Sequence, residues 1–179
     1  MFIYAHNPFG ELLSVSKTLM GESKLNRPAP ELTGITQWYN SEPLLLGQLQ
    51  AENKVVLVKF WTYACINCQR STPHIVELYE KYKDDGLVVI GVHTPEFRFE
   101  KNRDNIEAEI AKYPITYPVA LDDNYKTWRA YQNHYWPALY LIDINGNIVY
   151  RHFGEGSYDV TEQKIVELLE EAKMATKIE

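Results

Sequence analysis

Cysteine is nearly absent from this chain, with two in 179 residues, and that excludes a fold held together by a network of disulfides. Glycine and proline are sparse too, nine of each, too few for collagen-like or proline-rich low-complexity sequence. The longest apolar runs are strand-sized, and none is long enough to cross a bilayer. Basic residues are outnumbered, 18 Lys and Arg against 24 Asp and Glu for a formal charge of −6. They form no stretch of five or more, which argues against nucleic acid as a partner. What is left, 45% hydrophobic and 23% charged residues, is the make-up of an ordinary folded domain with room for one sizeable core.

The first twenty residues lack a basic n-region, and His6, Asn7, Pro8 and Glu11 break up any apolar h-region, so they do not read as a signal peptide. A cytoplasmic location is the expectation for the chain as written; a domain taken from a longer membrane-tethered protein would instead work outside the membrane. Residues 1–26 show no periodicity and are read as an N-terminal arm before Pro28-Ala29-Pro30, with the domain occupying 27–179. No internal repeat and no further linker follows.

From residue 54 the chain alternates strand-like and helix-like signals, the pattern of an α/β sheet with packed helices. Val55-Val56-Leu57-Val58-Lys59-Phe60 is nearly continuous and β-branched, as a strand buried on both faces requires, and Leu87–Val92 repeats it. Between them, Ile75, Leu78, Tyr79 and Tyr82 form one stripe of a helix over 66–82. Asp104 with Glu107 predicts a capping box for a short helix carrying Ile106 and Ile110, and Tyr117–Leu121 predicts a strand. A helix over about 124–132, a hairpin turning at Asn145-Gly146 and a closing helix capped by Asp159 and Glu162 complete a mixed sheet flanked by helices.

Both cysteines lie in Cys65-Ile66-Asn67-Cys68, where the first central strand gives way to its helix. A helix N-terminus offers unpaired N–H groups and partial positive charge, which favour a thiolate, so Cys65 is the candidate nucleophile. Cys68, one turn on, is placed to resolve a mixed disulfide formed at Cys65. A structural staple is the first alternative, but so short a loop removes unfolded-state entropy worth only about 2 kcal/mol, less any strain. A metal site is the second; it needs two more ligands, and the histidines at 6, 74, 93, 134 and 152 show no zinc-type pairing.

Phe60-Trp61-Thr62-Tyr63-Ala64-Cys65-Ile66-Asn67-Cys68, Pro73 inside the following helix and Trp136-Pro137 before a strand together resemble the thioredoxin superfamily, in its TlpA-like, redoxin branch. Gly91–Phe97, Tyr117–Asp122 and His152–Gly156 look like segments of the thioredoxin-like domain of DipZ proteins. The resemblance spans about residues 28–175. It implies a thioredoxin-like fold with a TlpA-type insertion and a C-terminal hairpin plus helix. It also implies a thiol:disulfide oxidoreductase acting on protein or small-thiol disulfides. No separate cofactor is expected, because the redox-active Cys65–Cys68 disulfide, with its dithiol form, is itself the electron-transferring group. The implied partners are protein dithiols and a membrane electron donor of the DipZ/CcdA type, with the chain itself a monomer. By similarity Pro137 is a cis-proline facing the dithiol, and Trp61, Asn67, Trp136 and Pro137 lie against a bound partner. Pro73 is expected to kink its helix.

One position departs from the pattern. Thioredoxins commonly carry a buried acidic residue six places before the nucleophile, and here that residue is Lys59. Its ammonium is expected to snorkel to the surface or to pair with a carboxylate. The proton of Cys68 then falls, by resemblance, to Glu96. Two other functions are weighed: a thiol peroxidase, for which Thr62 is suggestive but Val58 replaces the expected proline, and a copper-binding module using the two cysteines and His134, the histidine placed nearest the dithiol.

Overall fold

A computed structural model describes residues 25–177 of the chain. The first 24 residues of the expected N-terminal arm lie outside the described residues. The sheet is built from β1 (Arg27–Pro28), β2 (Trp38–Tyr39), β3 (Val55–Trp61), β4 (Leu87–His93), β5 (Val119–Leu121), β6 (Ala138–Ile142) and β7 (Asn147–Phe153). Its helices are α1 (Leu46–Ala51), α2 (Ile66–Tyr82), α3 (Arg103–Lys112), α4 (Lys126–Ala130) and α5 (Tyr158–Thr176). The strands form one mixed seven-stranded sheet in the order β1-β7-β6-β3-β4-β5-β2. β3 pairs in parallel with β4 and antiparallel with β6, so it stands at the centre.

Every residue of β3 is buried, which is why its sequence runs apolar without alternation. Leu57 and Trp61 face a core layer shared with Ile75 and Leu78 of α2 and Ile165 and Leu169 of α5. Val56, Val58 and Phe60 face the opposite layer, with Leu46 and Leu49 of α1 and Trp128 of α4. On that second side Phe60 sits at the hub of an aromatic cluster, edge-on to Trp128, Tyr131 and Tyr140 at centroid distances of 5.6, 5.3 and 5.7 Å.

Three local expectations are corrected. The cap of α3 is Asn102, whose side chain accepts from the Asn105 N–H at 3.1 Å; Asp104 sits inside the first turn. α5 starts at Tyr158 behind Ser157, with Asp159 in its first turn facing the positive end of the helix and not capping it. α4 is shorter than expected because Tyr125 adopts φ 59°, outside the helical region. The hairpin between β6 and β7 forms where Asn145-Gly146 predicts it. Its loop spans residues 143–146, gathered by the Asp143 carboxylate, which accepts from the N–H groups of Asn145 (3.0 Å) and Asn147 (2.7 Å). Gly146, at φ 81°, takes the left-handed conformation that closes it.

Truncating the aromatic hub, Phe60→Ala, is expected to cost about 3–5 kcal/mol, read from urea unfolding midpoints. A loss below about 1 kcal/mol would mean that the cluster around α4 collapses to fill the gap.

Candidate active site

The site forms where β3 runs out. Trp61 ends the strand beside His93, its register partner at the end of β4, and residues 62–64 cross to the start of α2. Several bonds fix this crossing. Thr94 N–H donates to the Trp61 carbonyl at 2.9 Å, Cys65 N–H to the Thr62 carbonyl at 3.3 Å, and the Gln69 amide to the Tyr63 carbonyl at 2.7 Å. His93 supports it from below: its Nε2 accepts from the Tyr63 N–H at 3.4 Å and lies 3.3 Å from the Thr62 hydroxyl, while its ring stacks on Tyr63 and meets Trp61 edge-on. An accepting Nε2 puts the ring proton on Nδ1, so the imidazole is neutral. Burial depresses its pKa from 6.5 to about 4.

Cys65 is the N-cap of α2 and uses its sulfur as the capping acceptor: the Cys68 N–H points into Sγ at 3.2 Å. Its thiol is lowered to about 7, first because the Cys68 thiol donates a hydrogen bond to it and then through the N–H groups of Cys68 and Asn67, against partial burial and the charge of Glu96. Cys68 is buried, and its thiol is pushed far up, chiefly by that burial and then by holding its proton toward Cys65. Both cysteines are free. The pair is therefore asymmetric: a half-buried thiolate-former and a buried proton holder.

Phe60 pairs with Ala138 across β3 and β6, so the antiparallel register returns Pro137 and Trp136 to the same end of β3. The Trp136–Pro137 bond is cis, and the Trp136 indole donates to the Thr94 carbonyl at 2.9 Å while its ring lies against Trp128. Pro137 is buried and Trp136 half-buried. Asn67 is exposed on the first turn of α2. Trp61, expected to lie against a bound partner, is only 2% exposed and packs in the core layer of α2 and α5. Pro73 lies inside α2 on its exposed side, within a helix that continues unbroken from Ile66 to Tyr82.

Glu96 is exposed; its own N–H is held by the Glu100 carboxylate, and its charge acts on Cys65. Lys59 does not behave as expected. It neither snorkels nor meets a carboxylate: it is fully buried, and its ammonium donates to the Thr72 hydroxyl at 2.8 Å, one turn beyond Cys68. The reason is steric, since a residue in the middle of a strand covered on both faces has no path to water. His134 is exposed against Tyr135, and among the described residues no cluster of three or more His, Cys, Asp or Glu is arranged to hold a metal ion. The histidine that serves the site is His93, and its place was readable: equal strands in parallel register put it opposite Trp61.

Residues 25–151 match the AhpC/TSA family. The protein DipZ of Mycobacterium tuberculosis is 52% identical over 153 residues, which are 84% of this chain and 22% of DipZ, so the chain spans about a fifth of that relative's length. The thiol-disulfide oxidoreductase YkuV of Bacillus subtilis is 36% identical over 133 residues, covering 74% of this chain and 86% of YkuV. Among solved structures, the solution structure of a thioredoxin-like protein in the oxidized form superposes with a TM-score of 0.72 at 30% identity, covering 83% of this chain and 98% of that one.

Alkylation of the reduced protein by iodoacetamide is expected to label Cys65 with a midpoint near pH 7 and to leave Cys68 untouched in the neutral range. Glu96→Gln should move that midpoint toward acid, because it removes a charge that opposes the thiolate; a shift toward alkali would contradict a repulsive Glu96.

His93 generates a second expectation. Between pH 6.5 and about 4 the unfolded chain binds a proton at His93 and the folded one does not. Stability present above pH 6.5 is thus lost as pH falls toward 4, by about 3 kcal/mol at full protonation of the unfolded side chain. Urea titrations at neutral and acid pH should show a smaller acid loss for His93→Gln than for the unaltered chain.

Proposed function

The chain belongs to the AhpC/TSA family, and we propose that it is a thioredoxin-like thiol:disulfide oxidoreductase acting on protein thiols and disulfides, with Cys65 and Cys68 as its working couple. In the reducing direction the Cys65 thiolate attacks one sulfur of a partner's disulfide. An S–S bond forms to Cys65 and the partner's other sulfur leaves as a thiolate. Cys68 then gives up its proton, which passes to the departing partner sulfur, and attacks Cys65 Sγ, closing the internal disulfide and releasing the second partner thiol. The oxidising direction is the same sequence reversed.

The observation that carries this reading is the difference between the sulfurs: one is the acceptor of a helix N-terminus, the other is buried beneath it. An attacking thiol works best with a pKa near the ambient pH, which is where Cys65 lies. Glu96 bears on the Cys65 side of the site through its charge, and in this proposal it is the carboxylate that accepts the proton of Cys68 in the resolving step and passes it to the departing partner sulfur. Asn67, Trp136 and Pro137 border the same end of β3 and are the proposed contacts for a partner's backbone and side chains. Thr62 offers no support for a peroxidase, since its buried hydroxyl faces His93.

A membrane electron donor of the DipZ/CcdA type belongs to the same proposal and rests on the likeness to DipZ; a monomeric state for this domain is proposed beside it. Among the described residues no helix is long and apolar enough to cross a membrane, so such a donor would be a separate segment or protein.

In Cys68→Ser the resolving step is removed, and incubation with a disulfide-bonded protein should accumulate a mixed disulfide through Cys65, visible by mass spectrometry. Cys65→Ser should trap none at neutral pH. Equal trapping by both variants would overturn the assignment of nucleophile and resolver.

A further inference from the structure

Lys59 takes no part in the exchange steps, yet it is wholly buried in the central strand, directly behind the dithiol. One hydroxyl, that of Thr72, receives its ammonium at 2.8 Å, and that hydroxyl in turn donates to the Cys68 carbonyl at 2.7 Å. Among the described residues it takes part in no salt bridge. An ammonium in such a place is costly unless an opposite charge is near.

The ionisable groups that face it come from few elements. From α2 and its cap there are Cys68 and Cys65, whose charges both favour the ammonium. From the segment before β5 there is Tyr117, buried beside Gly91 with a hydroxyl that meets no hydrogen-bond partner among the described residues and with its ionisation pushed up by burial. The register partners of Lys59 are Gly91 on β4 and Leu139 on β6, and α5 contributes Ile165 and Leu169 to the same layer. The two sulfurs are therefore the counter-charge that this layer supplies.

We propose that Lys59 is the redox-linked proton site of the protein: its side chain is protonated while the Cys65–Cys68 pair carries a thiolate and neutral while the pair is a disulfide. When the disulfide is reduced by a partner dithiol, two electrons break the S–S bond and the partner becomes a disulfide with loss of two protons. One proton ends on Cys68, the other on Lys59, and Cys65 keeps the thiolate, so the buried site stays neutral overall in both states. Lys59 acts through the sulfurs and is a positioning residue for charge. Burial is the chief cause that brings its pKa from 10.5 down to about 8, a value that already includes the opposing pull of the two sulfurs.

The inference rests on the reading of Cys65 and Cys68 as a redox couple. Its test is the titration of the Lys59 ε-carbon by NMR in the full chain, once oxidised by glutathione disulfide and once reduced by dithiothreitol. Proton affinity on the order of tenfold higher in the reduced protein is expected, and by reciprocity Lys59→Met should move the Cys65 alkylation midpoint toward alkali by a similar factor. The same Lys59 midpoint in both redox states overturns the proposal, as does a folded Lys59→Met with an unshifted Cys65 profile. If Lys59→Met does not fold, the titration of the unaltered chain still decides. Absence of any internal disulfide after oxidation overturns the functional reading itself, and so is told apart from a failure of Lys59 alone.

Discussion

A backbone N–H pointing into a sulfur organises the working end of this protein. The Cys68 N–H reaches Cys65 Sγ at 3.2 Å, which makes a cysteine side chain the cap of a 17-residue helix. Helix ends leave such N–H groups without partners, so a thiolate at this point satisfies the backbone and is itself stabilised. For the contact to form, β3 must stop at Trp61 and the crossing residues must be held still. His93 and Gln69 do that through the Tyr63 backbone. The neutral imidazole of His93 is thus as much part of the site as the sulfurs, although its Nε2 is engaged by Thr62 and Tyr63 and not by a cysteine.

Burial separates the roles of two chemically identical side chains. One turn of helix carries the chain from the half-buried Cys65 to the buried Cys68, and with it from a thiol that ionises near neutrality to one that holds its proton. The same low-polarity layer contains Lys59, where relatives with the thioredoxin pattern commonly carry an acid. Replacing a buried anion by a buried cation inverts the electrostatics: an acid behind the dithiol opposes a thiolate, whereas an ammonium favours it. The substitution therefore bears on the energetics of the couple more than on the fold, which accommodates the long side chain through Thr72.

Most of the sheet was legible in the sequence because β3 and β4 are buried on both faces, and an apolar β-branched run of that length suits a central strand better than any other element. The 66–82 helix followed from periodicity, the place of Cys65 at its start from the junction with the strand before it, and the hairpin from Asn145-Gly146. The short edge strands β1 and β2 were not legible: two residues carry no period, and they are defined by partners far along the chain, Ile148 and Ala120. The caps of α3 and α5 fell elsewhere because Asp three residues before Glu fits a first turn as well as a cap. Lys59 escaped the sequence for a different reason. Residue type argued for the surface, while its position in a continuous apolar strand argued for the interior, and the interior prevailed since the strand as a whole has no exposed edge.

That Cys65 and Cys68 exchange electrons as a pair is the claim on which the rest depends. The direct measurement is equilibration of the protein across a series of glutathione redox buffers, followed by acid quenching and mass analysis of the peptide that carries both cysteines. A single two-electron transition in which that peptide loses two hydrogens, with no lasting glutathione adduct, is the predicted result. An adduct that accumulates on Cys65 while Cys68 stays a free thiol would contradict it.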